Sequence, residues 1–388
     1  MAIRNAIVIG AGIGGLCVAT ALARRGVAVT VLERADAIRE VGAGLQISPN
    51  GLAVLRDLGL ERRLRARGAV QGEAVVLKAH DRGGDVARLD LTRLPQTQSY
   101  LFVHRADLVD TLATAAREAN VTLSLGSAVS SVEPGQTPAL TLGDGSRLRA
   151  EVIIGADGIH SRSRVALNGA DAPFFTGQVA WRATVPNIVD HGPEACVTMG
   201  PRRHLVSYPL RDGKLVNLVA VEERDDWADE GWSLPDDPAH LRAAFDSYGG
   251  RARALIDAVE APTLWGLHRH PVASCWQQDG VALLGDAAHP TLPFLAQGAN
   301  LALEDGWALA AALAARGTDG LAAYEAARQP RVRRVIRAAE RNAWRYHLRP
   351  GPLRFAAHRA LALGSRVAPG RMLGAFDWLY GYDVTREG

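Results

Sequence analysis

The sequence predicts an α/β fold: a parallel α/β domain, an antiparallel β-sheet domain inserted into it in pieces, and helices closing the C-terminus. Three observations predict it. Residues 5–9 (NAIVI) are a continuous apolar run, the mark of a strand buried on both faces of a parallel sheet. GAGIGG at 10–15 follows at once and leads into an Ala/Leu-rich helical stretch to about Arg25. Residues 176–223 instead alternate with period two, with turns at Pro201 and Asp212–Gly213, as an antiparallel sheet facing a cleft does.

The other elements follow in order. A second strand (VAVTVLE) ends at Glu33, and a helix spans Asn50–Leu58. Residues 73–92 alternate around a turn at Asp81–Gly84 and read as a hairpin. Residues 107–119 are helical, and 121–154 hold short strands with turns at PGQ and GDG, ending in EVIIGAD. One amphipathic helix is expected over Ala239–Val259, then strand GVALLGD, a long helix from about Gln297, and an Arg-rich helical stretch over 318–365. The pattern divides into a discontinuous nucleotide-binding domain (1–72, 98–175, 270–345), a substrate-binding sheet domain (73–97, 176–269) and a C-terminal helical tail (346–388).

Composition narrows the function. The chain has 388 residues, 48% hydrophobic and 22% charged, with a net charge of +3. No Lys/Arg block alternates with aromatics, so no nucleic-acid partner is expected. Cys17, Cys196 and Cys275 lie far apart, which excludes a disulfide framework and argues against a metal cluster. A strand begins within five residues of the start, so no signal peptide is expected and the cytoplasm is. The most apolar helical stretch, Leu301–Ala315, contains Glu304 and Asp305 and is too short to span a bilayer.

Three motifs carry chemistry. In GAGIGG, Gly10 permits a tight turn, Gly12 lets backbone approach a pyrophosphate, and Gly14 and Gly15 open the helix, Gly15 packing it closely on the strand. Glu33, followed by Arg34, ends the next strand, where an acid binds the ribose hydroxyls of FAD or NAD and disfavours the NADP 2′-phosphate. Asp157–Gly158 turns just after a strand and offers a carboxylate to a nucleotide. Gly285 and Asp286 stand at the carboxyl end of a buried strand, where ligands bind in α/β sheets. After a proline-stiffened loop the helix begun at Gln297 presents the N–H groups of Gly298, Ala299 and Asn300 to negative charge.

Taken in this order and spacing, the three motifs resemble those of the single-component (class A) flavoprotein aromatic hydroxylases of the p-hydroxybenzoate hydroxylase fold. GAGLQISPN (42–50) and HRADL (104–108) match as well, and the salicylate, monohydroxybenzoate and 6-hydroxynicotinate enzymes are the most similar members. The resemblance implies a Rossmann-like domain holding FAD without a covalent link, with Arg105 on the pyrophosphate and Asp286 on ribityl or ribose hydroxyls. It implies NADH or NADPH as co-substrate, docking transiently near Asp157–Gly158, and O2 as the oxidant. The implied activity is hydroxylation of a small phenolic or N-heteroaromatic compound, salicylate- or hydroxybenzoate-like, through a C4a-hydroperoxyflavin.

That chemistry needs a base near the substrate hydroxyl and an apolar pocket. His204 and Tyr208 in RHLVSYP are four apart on a predicted strand, so they share a face with Val206, and a similar H-x-x-x-Y occurs in the resembling enzymes. Leu292, Pro293 and Phe294 are expected to wall the pocket on the flavin side. Gln46 stands where hydroxynicotinate enzymes tend to have histidine, and Pro293 where some hydroxybenzoate enzymes carry glutamine. Trp181 and Arg182 are placed along the cleft, Arg182 as a carboxylate partner. His289 is read as a packing residue, His268 and His270 as solvent-facing, the arginines of 328–345 as a solvated helix face, and FDWLYGYD (376–383) as packing. A small aromatic substrate is the expected partner, with no membrane and a monomeric or homodimeric state. The alternatives are a same-fold monooxygenase of a quinone precursor, a urate-like purine or an antibiotic, and a flavin-binding redox protein that oxygenates nothing.

Overall fold

The structure, a computed structural model, describes residues 3–38, 43–81, 84–225, 234–347 and 351–387. Gly42 of the GAGLQISPN motif and the tip of the expected hairpin (82–83) lie outside the described residues.

Two sheets organise the chain. The first runs in the order Gln277–Gln278, Val281–Leu283, Val152–Gly155, Asn5–Ile9, Ala28–Leu32, Thr122–Ser124. Its strands are parallel except for the two-residue edge at 277–278. The apolar run at 5–9 is explained by burial on both sides. Ala6 and Val8 face the core of helices Ile13–Ala23 and Gly298–Arg316, while Ile7 and Ile9 face a small sheet that includes Val132 and Leu140. Cys17 is fully buried on the packed side of the first helix, and burial pushes its thiol up to about 12.

The second sheet has eight strands, ordered Leu234–Pro235, Thr263–Arg269, Phe174–Pro186, Leu215–Glu223, Arg203–Leu210, Glu194–Gly200, Ala74–Ala79, Asp85–Asp90. The expected hairpin is its last pair, and the period-two stretch supplies its middle. One junction, 194–200 with 74–79, is parallel. Leu205, Leu218 and Trp181 on one face pack against two helices, while the opposite face turns toward the parallel domain.

Four expectations are corrected here. The single helix over Ala239–Val259 is two, Pro238–Ala244 and Gly250–Asp257. The break arises because Gly249 docks on the hairpin: its N–H donates to the His80 carbonyl at 2.9 Å, and Gly250 then turns with φ +58°. Arg328 is fully buried, not solvated. The acids of the apolar helix force this, since two buried carboxylates need cations: Arg328 meets Glu304 at 2.6 Å and Asp305 at 2.9 Å, and Arg331 meets Glu304 at 2.7 Å. Burial alone would raise Asp305, but His289 and Arg328 bring it down to about 2. Trp181 faces away from the cleft, its indole N–H donating to Asp236 at 2.6 Å. His270 is buried against the Ile159 carbonyl, not solvent-facing. The segment 376–383 does pack, with Leu379 and Tyr380 buried and Tyr382 under Arg331 at 3.6 Å.

Candidate active site

The nucleotide end is built by the glycine turn. Gly10 has φ +103°, and a Cβ there would collide with the Ala156 carbonyl, while a Cβ on Gly15 would collide with the carbonyl of Gly10. Above Gly12 nothing lies within 4 Å of an added Cβ, so that side of the turn is open. No side chain caps helix Ile13–Ala23 and no acid sits in its first turn, so its free N–H groups face that opening. Glu33 frames the turn: Oε2 accepts from the Ala11 N–H at 2.8 Å and Oε1 from Ala35 at 3.0 Å. Arg34 beside it is exposed. An uncapped helix start, open backbone at Gly12 and an acid at the second strand's end form a donor and acceptor set that fits a pyrophosphate and a ribose.

Asp157 and Asp286 differ. Gly158 turns with φ +76°, but the Asp157 carboxylate is already engaged and is not the free acceptor expected. Its Oδ1 accepts from Ser161 Oγ at 2.5 Å, and its Oδ2 from the N–H groups of Arg162 and Ser163 at 2.8 and 3.2 Å, holding helix Arg162–Asn168. Asp286 keeps accessible surface while protein surrounds it, so burial raises its carboxyl, opposed by His289 and Arg105. It therefore lines a cleft, with Arg105 close enough to act on it. His289 packs as read, stacked on Trp276 with Nε2 2.5 Å from Asp305.

The far end of the cleft begins at helix Gly298–Arg316. Leu301 N–H is bonded back to Gln297, so the N–H groups of Gly298, Ala299 and Asn300 precede the first intrahelical bond. Side chains brace this start against the 46–50 loop: Asn300 Nδ2 donates to the Gln46 carbonyl at 3.0 Å, and its Oδ1 accepts from Ser48 N–H at 3.0 Å. Gln297 donates to Ser48 Oγ and accepts from Asn50, both at 3.0 Å. The Asn300 side chain is thus a brace, and only its N–H remains for a ligand.

Beyond lies the face of the second sheet that turns toward the parallel domain. His204, Val206 and Tyr208 share it, opposite Val221, Val219 and Asn217 on the next strand, then Ala180, Arg182 and Thr184. Leu292 and Phe294 pack onto Ala180, Val219, Val221 and Trp265, and Pro293 opens the short turn that carries Phe294. The Phe294 ring centroid is 5.6 Å from that of His204. Arg182 lies over Trp265 at 3.7 Å, near enough to Tyr208 to favour its ionised form, though burial pushes that hydroxyl well up. Gly44 admits the Tyr208 ring: a Cβ there would stand 2.6 Å from it. Gln46 accepts from the Tyr100 hydroxyl at 2.8 Å, a role in which an unprotonated amide oxygen suffices.

This geometry meets known proteins over its full length. The sequence matches the family described as FAD binding domain over residues 4–339. It is 36% identical to a 3-amino-4-hydroxybenzoate 2-monooxygenase of Streptomyces platensis, over 98% of this chain and 96% of that one. It is 34% identical to a 3-hydroxybenzoate 6-hydroxylase of Polaromonas naphthalenivorans, over 97% and 96%. A solved substrate complex of salicylate hydroxylase superposes with a TM-score of 0.82 at 25% identity, covering 100% of this chain and 97% of that one. The chain belongs to the FAD-dependent aromatic hydroxylases. It is an FAD-dependent monooxygenase, with O2 and NAD(P)H as its other reactants.

Two residues of this hydroxylase escaped sequence reasoning. His347, at the end of helix Gly320–Tyr346, places Nε2 2.7 Å from Nδ1 of His204, and its own Nδ1 lies 2.7 Å from Glu223 Oε1. Asn217, fully buried, accepts the Gly44 N–H at 2.6 Å and ties the sheet to the 44–47 strand. No local spacing signals either contact, since the partners lie 143 and 173 residues apart. Among the described residues no group of His, Cys, Asp and Glu is arranged to hold a metal, and no helix is long and apolar enough to cross a membrane.

Proposed function

We propose that this monooxygenase hydroxylates a small phenol or hydroxylated N-heteroarene that carries a carboxylate, as a hydroxybenzoate does. The observation that carries the reading is one sheet face holding a histidine, a tyrosine and an arginine among apolar side chains, His204, Tyr208 and Arg182. FAD, reduced by NAD(P)H, supplies the activated oxygen when bound. In this reading Gly10, Gly12, Gly14, Gly15, Glu33, Arg34 and Arg105 hold its ADP half. The backbone turn at Asp157–Gly158, the Asp286 carboxylate and the N–H groups of Gly298, Ala299 and Asn300 follow its ribityl chain and ring.

His204 removes the substrate's hydroxyl proton. Burial and the neighbouring His347 hold its imidazole well below the ordinary value, so it is neutral and able to accept at neutral pH. Tyr208, kept protonated by burial, orients the hydroxyl by donating to it. Arg182 takes the carboxylate. Its guanidinium lies over Trp265 at 3.7 Å on the face that also carries His204 and Tyr208, which supports a carboxylate at that end of the substrate. Leu292, Pro293 and Phe294 exclude water from the reacting edge, and Gln46 borders the far side. The division into nucleotide and substrate domains at the boundaries read from sequence belongs to the same proposal. So do a monomeric or homodimeric state and a cytoplasmic location, the latter in keeping with the free thiols of Cys17, Cys196 and Cys275.

The test is product formation, not NAD(P)H consumption alone, with salicylate, 3- and 4-hydroxybenzoate, 3-amino-4-hydroxybenzoate, 6-hydroxynicotinate and their methyl esters. A hydroxylated product from at least one acid, with its ester turned over poorly, is expected. Oxidation of NAD(P)H to peroxide alone with every acid, or equal turnover of acids and esters, overturns the reading.

A further inference from the structure

His204, His347 and Glu223 stand in line from the buried sheet face to the surface. His204 is 1% exposed and His347 is buried, whereas the Glu223 side chain is 33% exposed. Both links are 2.7 Å. Phe294 and Tyr346 pack on the His204 ring at 5.6 and 5.4 Å between centroids. Beyond Glu223, Arg202 lies 3.2 Å from its second oxygen and also holds Asp225 at 3.0 Å. The charged groups at the outer end of the line are thus Glu223, Arg202 and Asp225, and the titratable ring against its inner end is Tyr346.

The donors can be assigned from the end of the line. An ionised carboxylate only accepts, so His347 donates from Nδ1 to Glu223. A neutral His347 then accepts at Nε2, which assigns the proton between the rings to Nδ1 of His204. That leaves the Nε2 of His204 as a bare acceptor, and no hydrogen bond to it is made among the described residues. Burial favours the neutral form of both rings, and only Glu223 opposes it at His347.

We propose that His204, His347 and Glu223 form a proton wire between the substrate pocket and solvent, with His347 and Glu223 acting through His204. This rests on His204 being the base. The substrate O–H bond breaks, its electron pair stays on oxygen, and the proton goes to His204 Nε2. His204 passes its Nδ1 proton to His347 Nε2, and His347 passes its own to Glu223, which gives it to water. Both rings end in the opposite tautomer, and returning a proton to the product oxygen runs the path backward and restores them. The wire answers an electrostatic problem. A lone buried imidazolium among these apolar side chains would be strongly disfavoured, and the line moves that charge to a carboxylate near the surface.

The probe is 4-hydroxy-3-nitrobenzoate, a carboxylated phenol whose phenolate absorbs in the visible, mixed rapidly with FAD-loaded enzyme over the pH range of histidine titration. The rate of phenolate appearance is the readout, and turnover is not needed. His347→Phe and Glu223→Gln should each slow it by about tenfold or more and move its pH dependence, with probe affinity changed little. Glu223→Asp should recover most of the rate. His204→Gln should be slow as well. If His204→Gln is slow while His347→Phe and Glu223→Gln keep the wild-type rate and pH profile, the base stands and the wire falls. If His204→Gln is as fast as wild type, or wild type never forms the phenolate, the assignment of the base falls and the wire with it.

Discussion

In the proposed reading, Arg182 is the residue on which the choice of substrate turns. Its guanidinium lies over Trp265, on the face that also presents His204 and Tyr208, so a ring held against those two groups has a cation within reach of one substituent. Replacing it by methionine keeps an unbranched stem on Trp265 and removes the charge. A hydrogen bond to a charged group is worth about 1.5–3 kcal/mol, which is about a ten- to hundredfold change in affinity. Arg182→Met should therefore raise KM for a carboxylated phenol by that factor and leave KM for its methyl ester nearly unchanged. Steady-state kinetics on the acid and ester pair checks this. Equal changes for both would show that Arg182 shapes the pocket without reading charge.

The glycine turn shows how much one element owes to the absence of side chains. A Cβ on Gly15 would strike the Gly10 carbonyl, so Gly15→Ala must push helix from strand, whereas a Cβ on Gly12 meets nothing within 4 Å. Gly12 also has φ −77°, which alanine adopts freely. Gly12→Ala should thus keep the melting temperature of the FAD-free chain and lose FAD, while Gly15→Ala should lower stability itself. Absorbance at the flavin band and thermal unfolding of the stripped proteins separate the two, and a Gly12→Ala enzyme that retains full FAD would contradict the open side assigned to the turn. This turn, the apolar strand before it and the alternation of residues 203–210 were legible because each is a local consequence of burial with a fixed period. What stayed hidden depends on partners far along the chain. The break before Gly250 is set by docking on His80, the burial of Arg328 by Glu304 and Asp305 on another helix, and the His204–His347 contact by the end of a helix 143 residues away. Asp157 was misjudged for the reverse reason. Its carboxylate is consumed by the very next helix, a capping role that a short polar turn does not distinguish from ligand binding.

Across the whole molecule, burial of histidine ties stability to pH. Burial holds His204 well below its ordinary value and also lowers His104, His191 and His347, although Asp107 and Glu223 oppose it at the first and last. The sign follows from proton binding. Below about pH 6.5 the unfolded chain protonates these imidazoles while the folded chain leaves them neutral, so the unfolded state binds more protons and stability falls as pH falls. The contribution is complete above about pH 6.5 and is lost between that value and the lowered folded ones. Asp305, held down to about 2, behaves differently: its contribution persists until the pH drops below about 4. The first softening in acid therefore belongs to the histidines. Each full pKa step is worth about 1.4 kcal/mol, which is large against a net stability of about 5–15 kcal/mol. The melting temperature of the FAD-loaded enzyme should thus fall steadily from pH 7.5 to about 5.5, in the range of histidine titration. His191 gives an internal control, since its ring bonds Ser207 on the strand Arg203–Leu210 and the neighbouring Gly192 carbonyl and lies apart from the proposed substrate face. His191→Gln should flatten that slope without altering the pH dependence of hydroxylation, and a wild-type melting temperature that stays level over the same range would show that the buried imidazoles carry no such linkage.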